Sequence, residues 1–253
     1  MEAMVLPQLK AFFEPSIGPP STVIVAGGRA PDITWLRELC SSRDVWAVDR
    51  GLDSCMSADI VPTLFIGDGD SVSRKAMQWA QLKRVTSLLF PPEKDLTDLQ
   101  LALREAGGKG SSAIITGAFG GRFDHIFANV YSLIWAEEEW GPRVRCMADE
   151  KEVFFLIRGG ESLSLSGLER GTVFSTLALS EECSGIDMKG AKWQVGEGRL
   201  LLREPFAISN ILSGDAEGAL IDRAPLRVSL SSGWLGVYVM TSLSAEQDQK
   251  DRF

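Results

Sequence analysis

The chain has 253 residues, of which 45% are hydrophobic and 24% charged, and a formal net charge of −8 from 26 Lys+Arg against 34 Asp+Glu. This is the composition of a globular protein and excludes a disordered or fibrous chain. An acidic balance with neither half basic argues against a nucleic-acid partner, because a phosphate backbone calls for clustered Lys and Arg.

At about 150 residues per domain the length allows one to two domains. The four cysteines, Cys40, Cys55, Cys146 and Cys183, are widely spaced with no CxxC, so neither a zinc site nor a disulfide framework is expected. They read as buried, reduced thiols of a cytoplasmic protein. His125 is the only histidine, which excludes any mechanism needing two. The apolar stretch from Met4 to Phe13 is interrupted by Pro7, Gln8 and Lys10 and lacks a basic flank and a cleavage site, so it is not read as a signal peptide. No apolar run approaches the roughly 20 residues of a membrane span.

Residues 1–20 end in Gly18-Pro19-Pro20 and read as a leader onto the first domain. Short apolar runs then alternate with helical segments. Thr22–Ala26 is a strand, and Pro31-Asp32 opens a helix with Trp35, Leu36 and Leu39 on one face and Asp32 as N-cap. Val45–Val48 and Thr63–Ile66 are strands, Ser73–Lys83 a helix, Ser87–Phe90 a strand and Leu96–Ala106 a helix. Ala113–Thr116 is a strand, Phe123–Glu139 a long helix burying Ile126, Val130, Leu133 and Ile134, and Val144–Met147 a last strand. The alternation predicts a mainly parallel sheet with helices on both faces. Ligands of such sheets bind outside the carboxyl ends of the strands.

The pattern changes between Ala148 and Glu152. Short strand-like runs follow at Val153–Ile157, Ser162–Leu165, Thr172–Ala178, Arg199–Leu202, Leu226–Leu230 and Gly236–Thr241, separated by Gly, Ser or charged turns. This predicts an α/β domain over 21–148 and an antiparallel β-sandwich over 149–243, with a polar, frayed tail at 244–253.

Several polar clusters fall at the predicted strand ends. Asp68 and Asp70, in Gly67-Asp68-Gly69-Asp70-Ser71, stand one residue apart, a spacing that suits a hard cation such as Mg²⁺. The same residues also suit a plain Asp/Gly turn. In Lys94-Asp95-Leu96-Thr97-Asp98, Asp95 or Thr97 can cap a helix and Asp98 can face its positive end. The functional alternative is a further metal carboxylate and a phosphate-facing lysine. Gly117, Gly120 and Gly121 lie in a turn leading to Arg122, Phe123, Asp124 and His125 at a helix start, where backbone N–H groups and a guanidinium can meet an anion. Taken alone, His125 reads as a structural residue. Asp49, before Arg50 and Gly51, offers another carboxylate at the same edge. Gly27-Gly28-Arg29 is not followed by GxGxxG or GxxxxGK[ST], which disfavours dinucleotide and P-loop chemistry. Together the clusters describe phosphoryl transfer without a P-loop.

In combination, residues 67–71, 94–98 and 117–125 resemble the thiamin pyrophosphokinase family. Asp49-Arg50-Gly51 resembles the family's Asp-Gly-Gly element with Arg50 in place of a Gly, and Gly190-Ala191-Lys192-Trp193 and Ser209-Asn210 resemble two later elements. The resemblance runs from about Val23 to Ile211. It implies an α/β domain followed by a β-sandwich, in a homodimer whose active sites are shared between chains. It implies transfer of the pyrophosphoryl group of ATP to the hydroxyl of thiamin, giving thiamin diphosphate and AMP with Mg²⁺ as cofactor. Asp49, Asp68, Asp70 and Asp98 carry over as metal or phosphate-side carboxylates, with Asp70 or Asp98 able to take the alcohol proton late. Lys94, Asp95, Gly117, Gly120, Gly121, Arg122, Asp124 and His125 fall on the ATP side. Trp193, Ser209 and Asn210 fall on the thiamin side, although Trp193 also suits a sandwich core. Three other readings remain: a pyrophosphokinase for another alcohol such as a pterin, a metal-dependent nucleotide-sugar transferase with a DxD pair, and a non-catalytic thiamin- or nucleotide-binding protein.

Overall fold

The structure is a computed structural model that describes residues 2–195, 198–213 and 226–244. Its contacts divide the chain into two compact units, one of residues 20–149 and the other of residues 1–19 with 150–253.

The first of these, the α/β unit, alternates strands and helices as the sequence pattern requires. In order they are β3 (Thr22–Val25), α1 (Ile33–Cys40), β4 (Asp44–Val48), α2 (Gly51–Ser57), β5 (Leu64–Gly67), α3 (Arg74–Leu82), β6 (Thr86–Leu89), α4 (Asp98–Gly108), β7 (Ser112–Thr116), α5 (Phe123–Trp140) and β8 (Arg143–Ala148). The strands lie in the order β8-β7-β3-β4-β5-β6, and every pair among them is parallel. β3 and β5 are buried along their whole length, which fits short runs of Val, Ile, Leu and Phe covered on two faces. The chain leaves β3 toward β4 and leaves β7 toward β8, so the order reverses between β3 and β7, where such sheets open a binding crevice.

Helix starts follow their caps. Asp32, Ser73 and Thr97 accept from the backbone N–H groups of Trp35, Ala76 and Gln100, and Thr97 with Gln100 forms a reciprocal capping box. Gln100 Nε2 then donates to Ser132 Oγ at 2.9 Å, tying α4 to α5. Helix α2 is an addition to the sequence reading. The seven residues Gly51–Ser57 follow β4 directly, and Gly51 lies so close to β3 that a Cβ there would stand 1.8 Å from the Val25 carbonyl oxygen.

The second unit is antiparallel. One sheet orders β1 (Met4–Val5), β2 (Lys10–Glu14), β10 (Glu161–Ser166), β16 (Leu226–Leu230) and β13 (Asp187–Lys189). The other holds β15 (Asn210–Ile211), β11 (Thr172–Ala178), β17 (Trp234–Ser244) and β9 (Glu152–Arg158), and β12 (Glu182–Ser184) pairs with β14 (Arg199–Leu201). Phe13 of the first sheet and Phe155 of the second meet edge-on at 6.4 Å, in a core filled from both sheets.

The expected fold class, a mainly parallel α/β sheet followed by antiparallel β structure, is the one observed. The leader reading of residues 1–20 is corrected. Lys10–Glu14 is a strand of the β unit, paired with β10 from Ser162↔Glu14 to Ser166↔Lys10. Ala11 and Phe13 face inward, and Lys10, Phe12 and Glu14 are less buried, an alternation that Pro7 and Gln8 obscure in a wider window. In α5, Leu133 and Ile134 are buried as expected, whereas Ile126 and Val130 are only half-buried. Of the tail, residues 245–253 lie outside the described residues.

Candidate active site

The parallel strands of the α/β unit end on one edge, and the sheet delivers three carboxylates there. Asp49 follows β4, Asp68 follows β5, and Asp98 is the first residue of α4, after β6. One oxygen from each lies within 4.8 Å of the others. Lys94 joins two of them, with Nζ 3.3 Å from Asp68 Oδ2 and 3.0 Å from Asp98 Oδ1.

The local backbone is shaped for this approach. Asp49 has φ of +49°, and its N–H donates to the Ile66 carbonyl at 3.1 Å, bending the chain back over the end of β5. Gly67 has φ of +154°, and a Cβ there would stand 2.7 Å from Asp49 Oδ1. Only glycine leaves room for that carboxylate. Arg50, which replaces a glycine of the resembling element, has ordinary right-handed angles of −58° and −9°. The unusual φ falls on Asp49, so an arginine at position 50 is accommodated without strain.

The electrostatics are those of a crowded acidic site. Burial, together with the nearby Asp98 and Asp68 carboxylates, pushes the Asp49 carboxyl up to about 7. Asp68 is held below the usual carboxylate range by the Asp70 backbone N–H, which donates to its Oδ1 at 3.0 Å, and by Lys94. Burial opposes the Lys94 charge, yet Asp98 and Asp68 outweigh it and hold the ammonium above its ordinary value. Asp49 Oδ1 is buried without a hydrogen-bond partner, and Asp98 Oδ1 is buried with only the Lys94 ammonium beside it at 3.0 Å. Buried carboxylate oxygens converging on one point fit a hard cation with oxygen ligands.

Asp70 is not part of this triad. Its side chain is exposed, and the Asp68 carboxylate beside it raises its pKa. The one-residue spacing of Asp68 and Asp70 draws attention to that pair, whereas the sheet joins Asp68 to Asp49 and Asp98 through parallel pairing of β4 with β5 and β5 with β6. Asp95 is exposed, and Thr97 is the residue that caps α4.

The glycine turn sits at the reversal of strand order. The N–H groups of Ala26, Gly28 and Arg29 donate to the carbonyls of Thr116, Gly117 and Phe119 at 2.8, 2.7 and 2.6 Å, stitching the loop after β3 to the loop after β7. Gly117, at φ of +66°, packs so tightly that a Cβ would stand 2.4 Å from the Ala26 carbonyl oxygen, whereas Gly121, at φ of +75°, faces open space. Gly120 lies against Arg29. Arg122 precedes α5 and pairs with Asp124, Nε to Oδ1 at 3.1 Å, which raises the pKa of the arginine and lowers that of the acid. Arg122, Asp124 and His125 are all exposed at the amino end of α5. Asp149, which the sequence reading did not single out, is a buried acid just beyond β8 that accepts from Arg29 Nε at 3.0 Å.

In the β unit the structure joins Trp193 to Asn210. The buried Asn210 amide accepts from Trp193 N–H at 3.1 Å and donates to the Trp193 carbonyl at 2.6 Å. Trp193 is 51% exposed, with Lys192 Nζ 4.5 Å from its ring centre. It is therefore a surface aromatic and not a core residue. Ser209, at φ of +55°, donates its N–H to Ser175 Oγ at 3.0 Å.

A mainly parallel α/β unit carries acidic residues and a glycine turn at the strand ends, where such sheets bind their ligands, and is joined in sequence to an antiparallel β unit. Residues 36–144 match the model described as thiamin pyrophosphokinase, catalytic domain. Over that segment the chain is similar to the thiamin pyrophosphokinases. It is 27% identical over 191 residues to the thiamine pyrophosphokinase of Bacillus subtilis (strain 168), covering 75% of this chain and 88% of that one. Its fold is similar to the crystal structure of thiamine pyrophosphokinase from Bacillus subtilis, with a TM-score of 0.73 at 24% identity over 88% of this chain and 99% of that chain. It is also similar to yeast thiamin pyrophosphokinase, with a TM-score of 0.69 at 14% identity over 88% and 87% of the two chains. Among the described residues no helix is long and apolar enough to cross a membrane.

Proposed function

We propose that this chain transfers the pyrophosphoryl group of ATP to the hydroxyl of thiamin, releasing AMP and thiamin diphosphate, with Mg²⁺ as cofactor. The observation that carries this reading is the convergence of Asp49, Asp68 and Asp98 at the strand ends, inside the segment that matches the family's catalytic domain.

Asp49, Asp68 and Asp98 would hold the metal, with the unsatisfied, buried Asp49 Oδ1 a ligand in waiting. When bound, the cation supplies charge neutralisation for phosphate oxygens. The N–H groups around Gly120 and Gly121, with Arg122, offer donors to the nucleotide's phosphates. Lys94 holds Asp68 and Asp98 in place and brings a positive charge to the phosphate side. Transfer of this kind rests on positioning and electrostatics, so no strong base is required. Asp70, exposed beside Asp68, is left to accept the alcohol proton late in the transfer. Trp193 offers a flat, exposed ring for the pyrimidine or the thiazolium cation, on a loop fixed by Asn210. The enzyme acts as a homodimer in the cytoplasm, a setting consistent with four free, buried cysteines.

Incubation with MgATP and thiamin tests the reading. The expected products are AMP and thiamin diphosphate in equal amounts. ADP formation, AMP only with another alcohol, or no turnover with thiamin would overturn it.

A further inference from the structure

Asp149 is a buried carboxylate at the strand-end edge that the acidic triad does not use. It follows β8, and its side chain is 1% exposed. A carboxylate so placed calls for a cation. Arg29, in the loop after β3, supplies it, with Nε at 3.0 Å and Nη2 on the same Oδ2. In the sheet β7 lies between β8 and β3, so this ion pair passes across the end of β7, from which the glycine turn leaves. Strands flanking a common neighbour stand about 10 Å apart, a gap that a side chain as long as arginine can cross.

The same residue fixes the turn through its backbone. The carbonyls of Thr116, Gly117 and Phe119 accept from the N–H groups of Ala26, Gly28 and Arg29, and the Ala118 carbonyl accepts from Asn129 Nδ2 of α5 at 3.3 Å. The stitch ends at Arg29. One residue further on, Gly120 has φ of +73°, and a Cβ there would stand 2.8 Å from Arg29 Cβ. Next come Gly121, where a Cβ would meet nothing, and exposed Arg122. Arg29 is thus the last anchor before the open part of the turn. Two glycines in a row are costly to order, and donors already in place bind an anion more tightly than donors that must be ordered on binding.

We propose that Arg29, anchored by Asp149, is a positioning residue for the nucleotide. The ion pair across β7 fixes the root of the Gly120-Gly121 turn, so that its N–H groups meet the phosphates of ATP already aligned. The proposal rests on the reading of that turn as the ATP side and adds the pair that sets its shape.

Calorimetric titration with MgATP, alongside KM values for both substrates and the melting temperature, tests it. The native chain is expected to bind MgATP. Asp149→Asn keeps the shape of the buried side chain and removes its charge. It should raise the Kd and KM for MgATP about tenfold, the size expected for a lost charge-assisted hydrogen bond. The KM for thiamin should stay within about twofold. Arg29→Lys, which keeps a cation for Asp149, should stay within about threefold of the native affinity. Arg29→Met combined with Asp149→Asn should bind MgATP about as weakly as Asp149→Asn alone, since the two residues act as one unit. Should Asp149→Asn not fold, this double variant, which buries no charge at the pair, gives the same readings. A native chain that binds no MgATP overturns the ATP reading of the turn and the clamp with it. Native MgATP affinity in a folded Asp149→Asn or in the double variant leaves the ATP reading standing and overturns the clamp. An equal rise in both KM values together with a lowered melting temperature also overturns it, because the pair would then hold only the fold.

Discussion

The two units make their candidate sites by opposite means. In the α/β unit, charged groups are drawn into a crowded corner where Asp49, Asp68 and Asp98 press together around Lys94, and the backbone bends at Asp49 and Gly67 to allow it. In the β unit, a buried polar group, Asn210, holds an exposed ring, Trp193, in place from beneath. The first site is built from unfavourable contacts that a bound cation would relieve. The second is already satisfied and offers only a surface. Substitutions in the first should therefore show in turnover, and those in the second in stability or in affinity for one substrate.

The largest effect is expected at Asp68. Asp68→Asn keeps the shape and removes one charge from the triad, and turnover should fall about 100- to 1000-fold, as when a charge-stabilising group is lost from a reaction centre. AMP release at saturating Mg²⁺ with a retained melting temperature is the measurement. Turnover near that of the native chain would break the contrast, because the crowded acids would then be a structural accident.

Next is the glycine turn, where two glycines of like φ differ in surroundings. Gly117→Ala meets the Ala26 carbonyl as well as the left-handed backbone cost, and should lose about 2 kcal/mol or more in urea unfolding. Gly121→Ala meets only the backbone cost, about 1 kcal/mol. Equal losses would show that the stitching of the β3 and β7 loops does not constrain Gly117.

The same contrast decides what could be read from the sequence. In the α/β unit β3 and β5 are short apolar runs, three of the five helices start at a side-chain cap, and Asp49 and Asp68 follow their strands directly. These signals are local, so the strand read at Thr22–Ala26 and the cap at Asp32 were legible. The membership of the acidic triad was less so, because Asp49 is brought to Asp68 and Asp98 by pairing between strands and not by spacing along the chain. In the β unit the informative pairings are distant. Lys10–Glu14 became a strand only against β10, some 150 residues later, and until that partner is known its polar and apolar residues look like a leader. The exposure of Trp193 likewise depends on Asn210, whose link to it is a fold contact and not a motif.

In the β unit the expected effects are smaller and separate by kind. Asn210→Ala leaves the N–H groups of Trp193 and Ile211 and the Trp193 carbonyl without their partner, and should cost about 1–2 kcal/mol in stability.

Trp193→Ala should cost the least stability and be the more specific test of the thiamin side. A tryptophan in a sandwich core loses about 3–5 kcal/mol when cut back to alanine. With half of its surface in solvent and one cation 4.5 Å from its ring, Trp193 should lose about 1 kcal/mol or less. If the exposed ring receives thiamin, the same substitution should raise the KM for thiamin about tenfold while the KM for ATP stays within about twofold, since removing a ground-state contact with one substrate leaves the other's binding untouched. Trp193→Phe, which keeps an aromatic face, should recover most of the loss. A stability cost above about 3 kcal/mol would return Trp193 to the core. An unchanged KM for thiamin would leave the ring with a structural neighbour in Lys192 and no part in binding the acceptor.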